Sequence, residues 1–346
     1  MKATMETKAS RETPADSMAV VVFSRQRSTG FVALAMMLVA FRTSSALEIH
    51  AVTPTVVRGT FVSTSSADQL ALQPYFDSSG MLSISGNTAS GTLIRENWVL
   101  TAAHVISSSP GRHDLSSATF SLGGQPYVVS YAEVHPNWNG DVSSGFDLAL
   151  VRLTSAISNV APAPFGEGPP NLIGLESTFV GFGLGGVGET GAVGGTGGVK
   201  RAGTNRLDFD GSLLGFSSSI YLADFDSGSA SHSSLGSSTP TSFESITSPG
   251  DSGGGVFVNV NGQMLLVGVN SFVASLAGET NSSYGEIAGF QSLQPHLAWV
   301  QGIAHAPEPA SLILGVICAL AGWWVVDRKS RIEGAKKPAK RAGQKF

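Results

Sequence analysis

Three short motifs carry residue types that can work together in nucleophilic chemistry. His104 lies in Thr101-Ala102-Ala103-His104-Val105, directly after the apolar run Trp98-Val99-Leu100. Asp147 follows 43 residues later, at the head of Phe146-Asp147-Leu148-Ala149-Leu150-Val151. Ser252 stands further on, inside Gly250-Asp251-Ser252-Gly253-Gly254. A serine hydroxyl is a weak nucleophile near neutral pH until a base takes its proton. Histidine suits that task because its pKa lies near the operating pH. A carboxylate on the far imidazole nitrogen fixes the tautomer and stabilises the imidazolium. Glycines around the serine let the chain turn tightly, so that amide N–H groups can point at a developing oxyanion. Taken singly, these are a satisfied histidine, a capping aspartate and a glycine turn. Their order gives them weight.

The serine run also fits the Gly-x-Ser-x-Gly elbow of α/β-hydrolases, whose chain order is serine, acid, histidine. Between Ser252 and Pro309 there is no aspartate, only Glu279, Glu286 and Glu308, with His296 and His305. The surroundings also lack alternating strands and helices. Between Leu47 and Pro309 the chain shows short β-rich runs, such as Thr92–Leu100, Phe146–Leu153, Ser177–Phe182 and Met264–Phe272, divided by Gly, Ser, Asn and Pro. That spacing predicts an all-β sandwich or barrel. Helical periodicity is confined to residues 295–303. Residues 183–204 are glycine-rich and 227–242 serine-rich, and both read as surface loops of low complexity. The loose match Gly183-Leu184-Gly185-Gly186-Val187-Gly188 is followed by no helix pattern, which argues against a phosphate site.

The order His104, Asp147, Ser252 resembles the trypsin-like, chymotrypsin-fold serine proteases over residues 56–303. Further segments support the resemblance: Ser90-Gly91-Thr92-Leu93-Ile94 before the histidine motif, His135-Pro136-Asn137-Trp138 before the aspartate, Val180-Gly181-Phe182-Gly183, Val267-Gly268-Val269-Asn270-Ser271-Phe272, and Leu297-Ala298-Trp299-Val300. The resemblance implies two six-stranded antiparallel β-barrels, the active site in the cleft between them, and a short C-terminal helix. It implies Ser252 as nucleophile, His104 as general base and acid, Asp147 as its orienter, and the N–H groups of Gly250 and Ser252 as the oxyanion hole. Ser271 would support Asp147. Val56-Val57-Arg58-Gly59 is similar to the family's mature N-terminus, with Arg58 in place of a glycine. Removal of residues 47–55, a candidate propeptide, would then free a Val56 ammonium to pair with Asp251. Ile246 falls at the base of the specificity pocket and Val273 at its wall. An apolar floor leaves a buried Lys or Arg side chain unpaired. The expected preference is therefore for small or medium apolar side chains before the scissile bond, closer to elastase than to trypsin.

The two ends read differently. Residues 1–46 contain a basic stretch, the apolar run Gly30–Phe41 and Ser44-Ser45-Ala46, the pattern of a secretory signal peptide. Translation can start at Met1 or Met18. Residues 306–346 begin with Pro307-Glu308-Pro309, continue through the uncharged stretch 310–326, and end in a basic cluster. That order resembles the PEP-CTERM sorting signal of Gram-negative bacteria. It implies a transmembrane span at 310–326, an exosortase-like processing partner, and a protease domain at 56–305 outside the cytoplasm. Cys318, the one cysteine, sits in that span, which leaves the domain without a disulfide.

The formal charge of −4 averages unlike segments. Of the 21 bases, 6 lie in residues 1–46 and 8 in 310–346, against 3 and 2 of the 25 acids. The stretch between keeps 7 bases and 20 acids, which disfavours nucleic acid and anionic surfaces as partners. With 42% hydrophobic residues the chain is not wholly disordered. No metal-ligand spacing appears, no cofactor is called for, and the partner expected is a protein or peptide substrate. The competing reading is a catalytically silent trypsin-like binding module displayed at the cell surface or in the matrix.

Overall fold

In a computed structural model of the chain, the described residues are 64–108, 111–278 and 280–304, preceded by short strands at Ala19–Val22, Glu48–Ala51 and Val57–Arg58. The chain divides into residues 1–300 and residues 301–346. Apart from the strands at 19–22 and 48–51, the signal and propeptide segments lie outside the described residues. So do Val56, the apolar stretch 310–326 and the tail. Among the described residues, no helix is long and apolar enough to cross a membrane.

Six strands close into a barrel, in the order Gln125–Val134, Ala149–Leu153, Trp98–Thr101, Asn87–Arg95, Ser79–Ile84 and Thr119–Leu122. All the pairings are antiparallel. Alternation of buried and partly exposed residues along 119–122 aims Phe120 and Leu122 inward. Leu82, Leu93, Leu100, Phe120 and Leu150 are fully buried. Two tight hairpins set the register. Ser85-Gly86 and Gly123-Gly124 both have positive φ, the conformation a two-residue turn needs to match strand twist. The run read as one strand over 92–100 is broken at Glu96-Asn97, which form the turn between two strands.

The second half is a sheet in the order Arg201–Arg206, Glu176–Gly181, Gly255–Val260, Gln263–Ser275, Ile287–Ser292, Ile220–Asp224 and Phe209–Asp210. The resemblance expects a second six-stranded barrel here, and the two ends of the path meet along the chain: Phe209–Asp210 lies two residues beyond Arg201–Arg206 and pairs with Ile220–Asp224, and Asp208 N donates to Leu222 O at 2.8 Å. Asn205 adds a side-chain tie, its Nδ2 donating to Asp224 O at 2.7 Å and to Ser245 O at 2.9 Å. Phe179, Leu207, Phe225, Ile246, Val256, Val273 and Phe290 form one apolar cluster inside this sheet. Asn261-Gly262, again with positive φ, turns the chain between its central strands. A helix at Thr64–Ala71 went unread in the sequence, whereas the C-terminal helix stands at Leu297–Ala304.

Candidate active site

His104 sits on the one-turn helix Ala103–Ile106 that follows the strand Trp98–Thr101. Asp147 lies at the entry to the strand Ala149–Leu153 and is fully buried. Behind it, Phe146 stacks on His135 with ring centroids 5.0 Å apart, and His135 Nε2 lies 3.2 Å from His296 Nδ1. Burial pushes the pKa of His296 down to about 4, and His135 is lowered for the same reason. This aromatic wall packs on Phe146, the residue next to Asp147.

Ser252 is held in a turn that only glycines permit. Gly250 and Gly253 have φ of +104° and +77°. A Cβ on Gly253 would meet Thr101 Oγ1 at 1.9 Å, and one on Gly250 would meet Gly183 Cα at 2.8 Å. Asp251 N donates to Ser248 O at 3.1 Å and Gly254 N to Asp251 O at 2.8 Å. Among the described residues, the N–H groups of Gly250 and Ser252 meet no acceptor.

The structure brings the three motif residues together from both halves of the fold. Ser252 Oγ lies 2.5 Å from His104 Nε2. His104 Nδ1 lies 2.7 Å from Asp147 Oδ2, and the His104 backbone N–H donates to Asp147 Oδ1 at 2.9 Å. Ser271 Oγ adds a third bond, to Asp147 Oδ2 at 2.5 Å. A carboxylate only accepts, so Nδ1 carries the proton and Nε2 offers its lone pair to the serine hydroxyl. The arrangement can therefore draw a proton from Ser252 Oγ and hold the resulting imidazolium against a buried carboxylate.

Asp251 points away from Ser252. Its Oδ1 accepts from Gly183 N at 2.8 Å and its Oδ2 from Ser248 N at 3.3 Å. Burial drives its pKa well above the usual carboxylate range, against the pull of the Gly183 N–H and of Arg201. Val56, the expected partner, lies outside the described residues. The neighbouring Val57 pairs with Ile246, and Arg58 with Ser245. Ile246 and Val273 are both buried in the apolar cluster of the second sheet.

Sequence reasoning missed two groups. Ser90 was read only as part of a strand. Its hydroxyl donates to Gly250 O at 2.7 Å and accepts from Phe182 N at 3.0 Å. The second group is a set of carboxyls, buried at Asp224, Asp226 and Glu244 and half-buried at Asp208. Asp224 Oδ2 accepts from the backbone N–H groups of Ser234 and Leu235. Glu244 accepts from Asp226 N, Thr241 N and Thr241 Oγ1. These bonds fasten the serine-rich loop to the sheet. Desolvation is the main cause of the raised pKa values, about 7 for Asp208 and about 8 for both Asp226 and Glu244. Among the described residues, no group of three or more His, Cys, Asp or Glu is arranged to hold a metal ion.

Comparison with known proteins agrees with this geometry. Chymotrypsin-like elastase family member 1 of Rattus norvegicus is 29% identical over 236 residues, covering 63% of this chain and 79% of the relative. The Bos taurus protein of the same name is 29% identical over 262 residues, covering 71% and 88%. That of Macaca fascicularis is 31% identical over 204 residues, covering 54% and 69%. The trypsin family model matches residues 72–300, well over half of the sequence, and the chain belongs to the trypsin family of serine proteases.

Proposed function

We propose that the protein is an exported serine endopeptidase. The observation that carries the reading is the unbroken contact from Ser252 Oγ through the His104 ring to Asp147, at 2.5 and 2.7 Å. In the proposed reaction, Ser252 Oγ attacks the scissile carbonyl carbon while its proton passes to His104 Nε2. The oxyanion forms against the N–H groups of Gly250 and Ser252. His104 then protonates the leaving amine as the C–N bond breaks, leaving an acyl-enzyme ester. A water enters, gives its proton to His104 and its oxygen to the carbonyl carbon. The carboxylic acid leaves as Ser252 recovers its hydrogen. Asp147 stays ionised throughout and holds the imidazole.

The preference proposed is for small or medium apolar side chains before the scissile bond. By the resemblance Ile246 and Val273 stand at the floor and wall of the specificity pocket, where apolar side chains would leave a cation unpaired, and the relatives are named as elastases. Activation is proposed to free Val56, whose ammonium would pair with Asp251. A buried carboxyl held by two N–H groups beside the Val57–Ile246 pairing supports this. Export rests on the signal-like residues 1–46. Membrane attachment and sorting rest on Pro307-Glu308-Pro309 and the apolar stretch after it.

The test is labelling with a fluorophosphonate probe. The purified protein takes up the probe and Ser252→Ala does not. A folded protein that stays unlabelled after removal of residues 1–55 would instead be the silent binding module. N-terminal sequencing of active material is expected to begin at Val56; a start at Leu47 would refute the activation step alone.

A further inference from the structure

The turn that carries Gly250 and Ser252 is a chain of peptide planes, and the contacts of each plane decide where its N–H points. The Pro249–Gly250 plane is fixed by Leu184 N, which donates to Pro249 O at 2.9 Å. In a trans peptide the N–H points opposite to the C=O, so this bond turns the Gly250 N–H away from Leu184. The Asp251–Ser252 plane is fixed by Gly254 N and by Asn270 Nδ2, which donate to Asp251 O at 2.8 and 3.3 Å. Between them lies the Gly250–Asp251 plane, attached to Gly250, the residue with φ of +104° and no Cβ to restrain it. Its N–H, that of Asp251, donates to Ser248 O at 3.1 Å, and its carbonyl accepts the shorter bond from Ser90 Oγ at 2.7 Å.

Ser90 stands on the strand Asn87–Arg95 of the closed barrel, is 1% exposed, and turns its hydroxyl and its backbone N–H to the other half of the fold. Its hydroxyl proton goes to Gly250 O, and its oxygen accepts from Phe182 N at 3.0 Å. Its backbone N–H donates to Ser252 O at 2.9 Å, and Thr101 Oγ1 donates to its carbonyl at 2.8 Å. One residue thus grips the carbonyls of Gly250 and Ser252, both residues whose N–H groups face the reacting carbonyl in the proposed reaction. An alanine could fill the same space between Ala89 and Gly91, but it could not make the two side-chain bonds.

We propose that Ser90 is a positioning residue for the proposed reaction: its hydroxyl holds the Gly250–Asp251 peptide so that the two oxyanion-binding N–H groups stay aimed at the substrate. The inference rests on the serine endopeptidase reading and adds to it a residue outside the His104-Asp147-Ser252 set. Substrate binding in the ground state does not need that aim, whereas the tetrahedral oxyanion does.

The experiment compares wild type, Ser90→Ala and Ser90→Thr on one peptide substrate and one peptide aldehyde. The aldehyde adds to Ser252 Oγ and places its oxygen where the oxyanion forms. Values are taken per active site counted by fluorophosphonate labelling. For Ser90→Ala, kcat falls about tenfold while KM changes less than about twofold, short of the loss from deleting an oxyanion donor. Aldehyde affinity falls in step with kcat, and Ser90→Thr, which keeps the hydroxyl, recovers most of both. Wild-type kcat and aldehyde affinity per labelled site in Ser90→Ala overturn the proposal. So does a loss explained entirely by fewer labelled sites. Should Ser90→Ala not fold, Ser90→Gly carries the same comparison. Failure of both to fold assigns the hydroxyl to folding and overturns the proposal. A wild type that takes up no label after removal of residues 1–55 refutes the endopeptidase reading, a result distinct from all of these.

Discussion

Asp147 grips His104 at two points. Its Oδ1 accepts from the histidine backbone N–H at 2.9 Å, and its Oδ2 faces the ring Nδ1 at 2.7 Å. One carboxylate therefore fixes both the short helix under the histidine and the orientation of its ring. Asp147→Asn keeps the shape of the side chain but presents a donor where the ring needs an acceptor. The expected result is a loss in kcat on the order of 10⁴-fold with little change in Tm. Steady-state kinetics together with a melting curve checks both halves of this prediction.

Ser271 donates to the same Oδ2 that faces the ring, at 2.5 Å. A hydrogen bond to a charged group contributes about 1.5 kcal/mol or more, so Ser271→Ala should cost about tenfold in kcat. KM should hold, because Ser271 acts through Asp147. An unchanged kcat would remove Ser271 from the account.

Substrate profiling addresses the apolar floor. With Ile246 and Val273 both in the buried apolar cluster, peptides with Ala, Val or Leu before the scissile bond should outrun those with Arg or Lys. Val273→Ala should raise the kcat/KM ratio of Phe over Ala substrates by about tenfold. It should also lower stability by about 2 kcal/mol, as expected for buried methyl groups removed. A wild-type preference for Arg or Lys would overturn the specificity proposed.

Buried and half-buried carboxyls make stability fall at alkaline pH. Asp208, Asp226 and Glu244 hold their protons more tightly in the folded chain, with pKa values of about 7, 8 and 8, than in the unfolded one. Their contribution is complete below the unfolded value of about 4 and is lost as pH rises through 7 to 8. His296 works in the other direction. With a folded pKa of about 4, its contribution is present above about 6.5 and is lost as pH falls. Between pH 6.5 and 8.5 the three carboxyls act while the His296 contribution is already complete. Tm should drop across that window, at about 2–4 °C per kcal/mol for a domain of this size. Asp226→Asn should flatten the drop. Calorimetry at the two pH values tests this, and a level or rising Tm in the wild type would contradict it.

The sequence carried the reacting groups in plain view because each lies in a short local motif. A glycine-flanked serine, a histidine after an apolar run and an aspartate before a strand can all be read within a few residues. Strand alternation and the positive-φ pairs at Gly123-Gly124 and Asn261-Gly262 are local in the same sense. Ser90 was not legible, because its partner Gly250 is 160 residues away and nothing beside Ser90 hints at that contact. The carboxyls at 208, 224, 226 and 244 were hidden for a related reason. An Asp or Glu is by default an exposed residue, and only the fold reveals that loop N–H groups have been brought to it. How the second half joins its ends was not legible, because the chain breaks its strand at Leu207-Asp208 and resumes pairing at Phe209–Asp210, while Asn205 reaches across to Asp224 O and Ser245 O.

The central claim is that Ser252 forms a covalent acyl intermediate with the help of His104. Rapid mixing with an activated ester, acid quenching and intact-mass analysis test it most directly. The account predicts a product burst close to one equivalent and a matching mass increment on the peptide that contains Ser252. Neither should appear in Ser252→Ala. A folded, activated protein that shows no burst, or that carries the increment on another residue, would contradict the account.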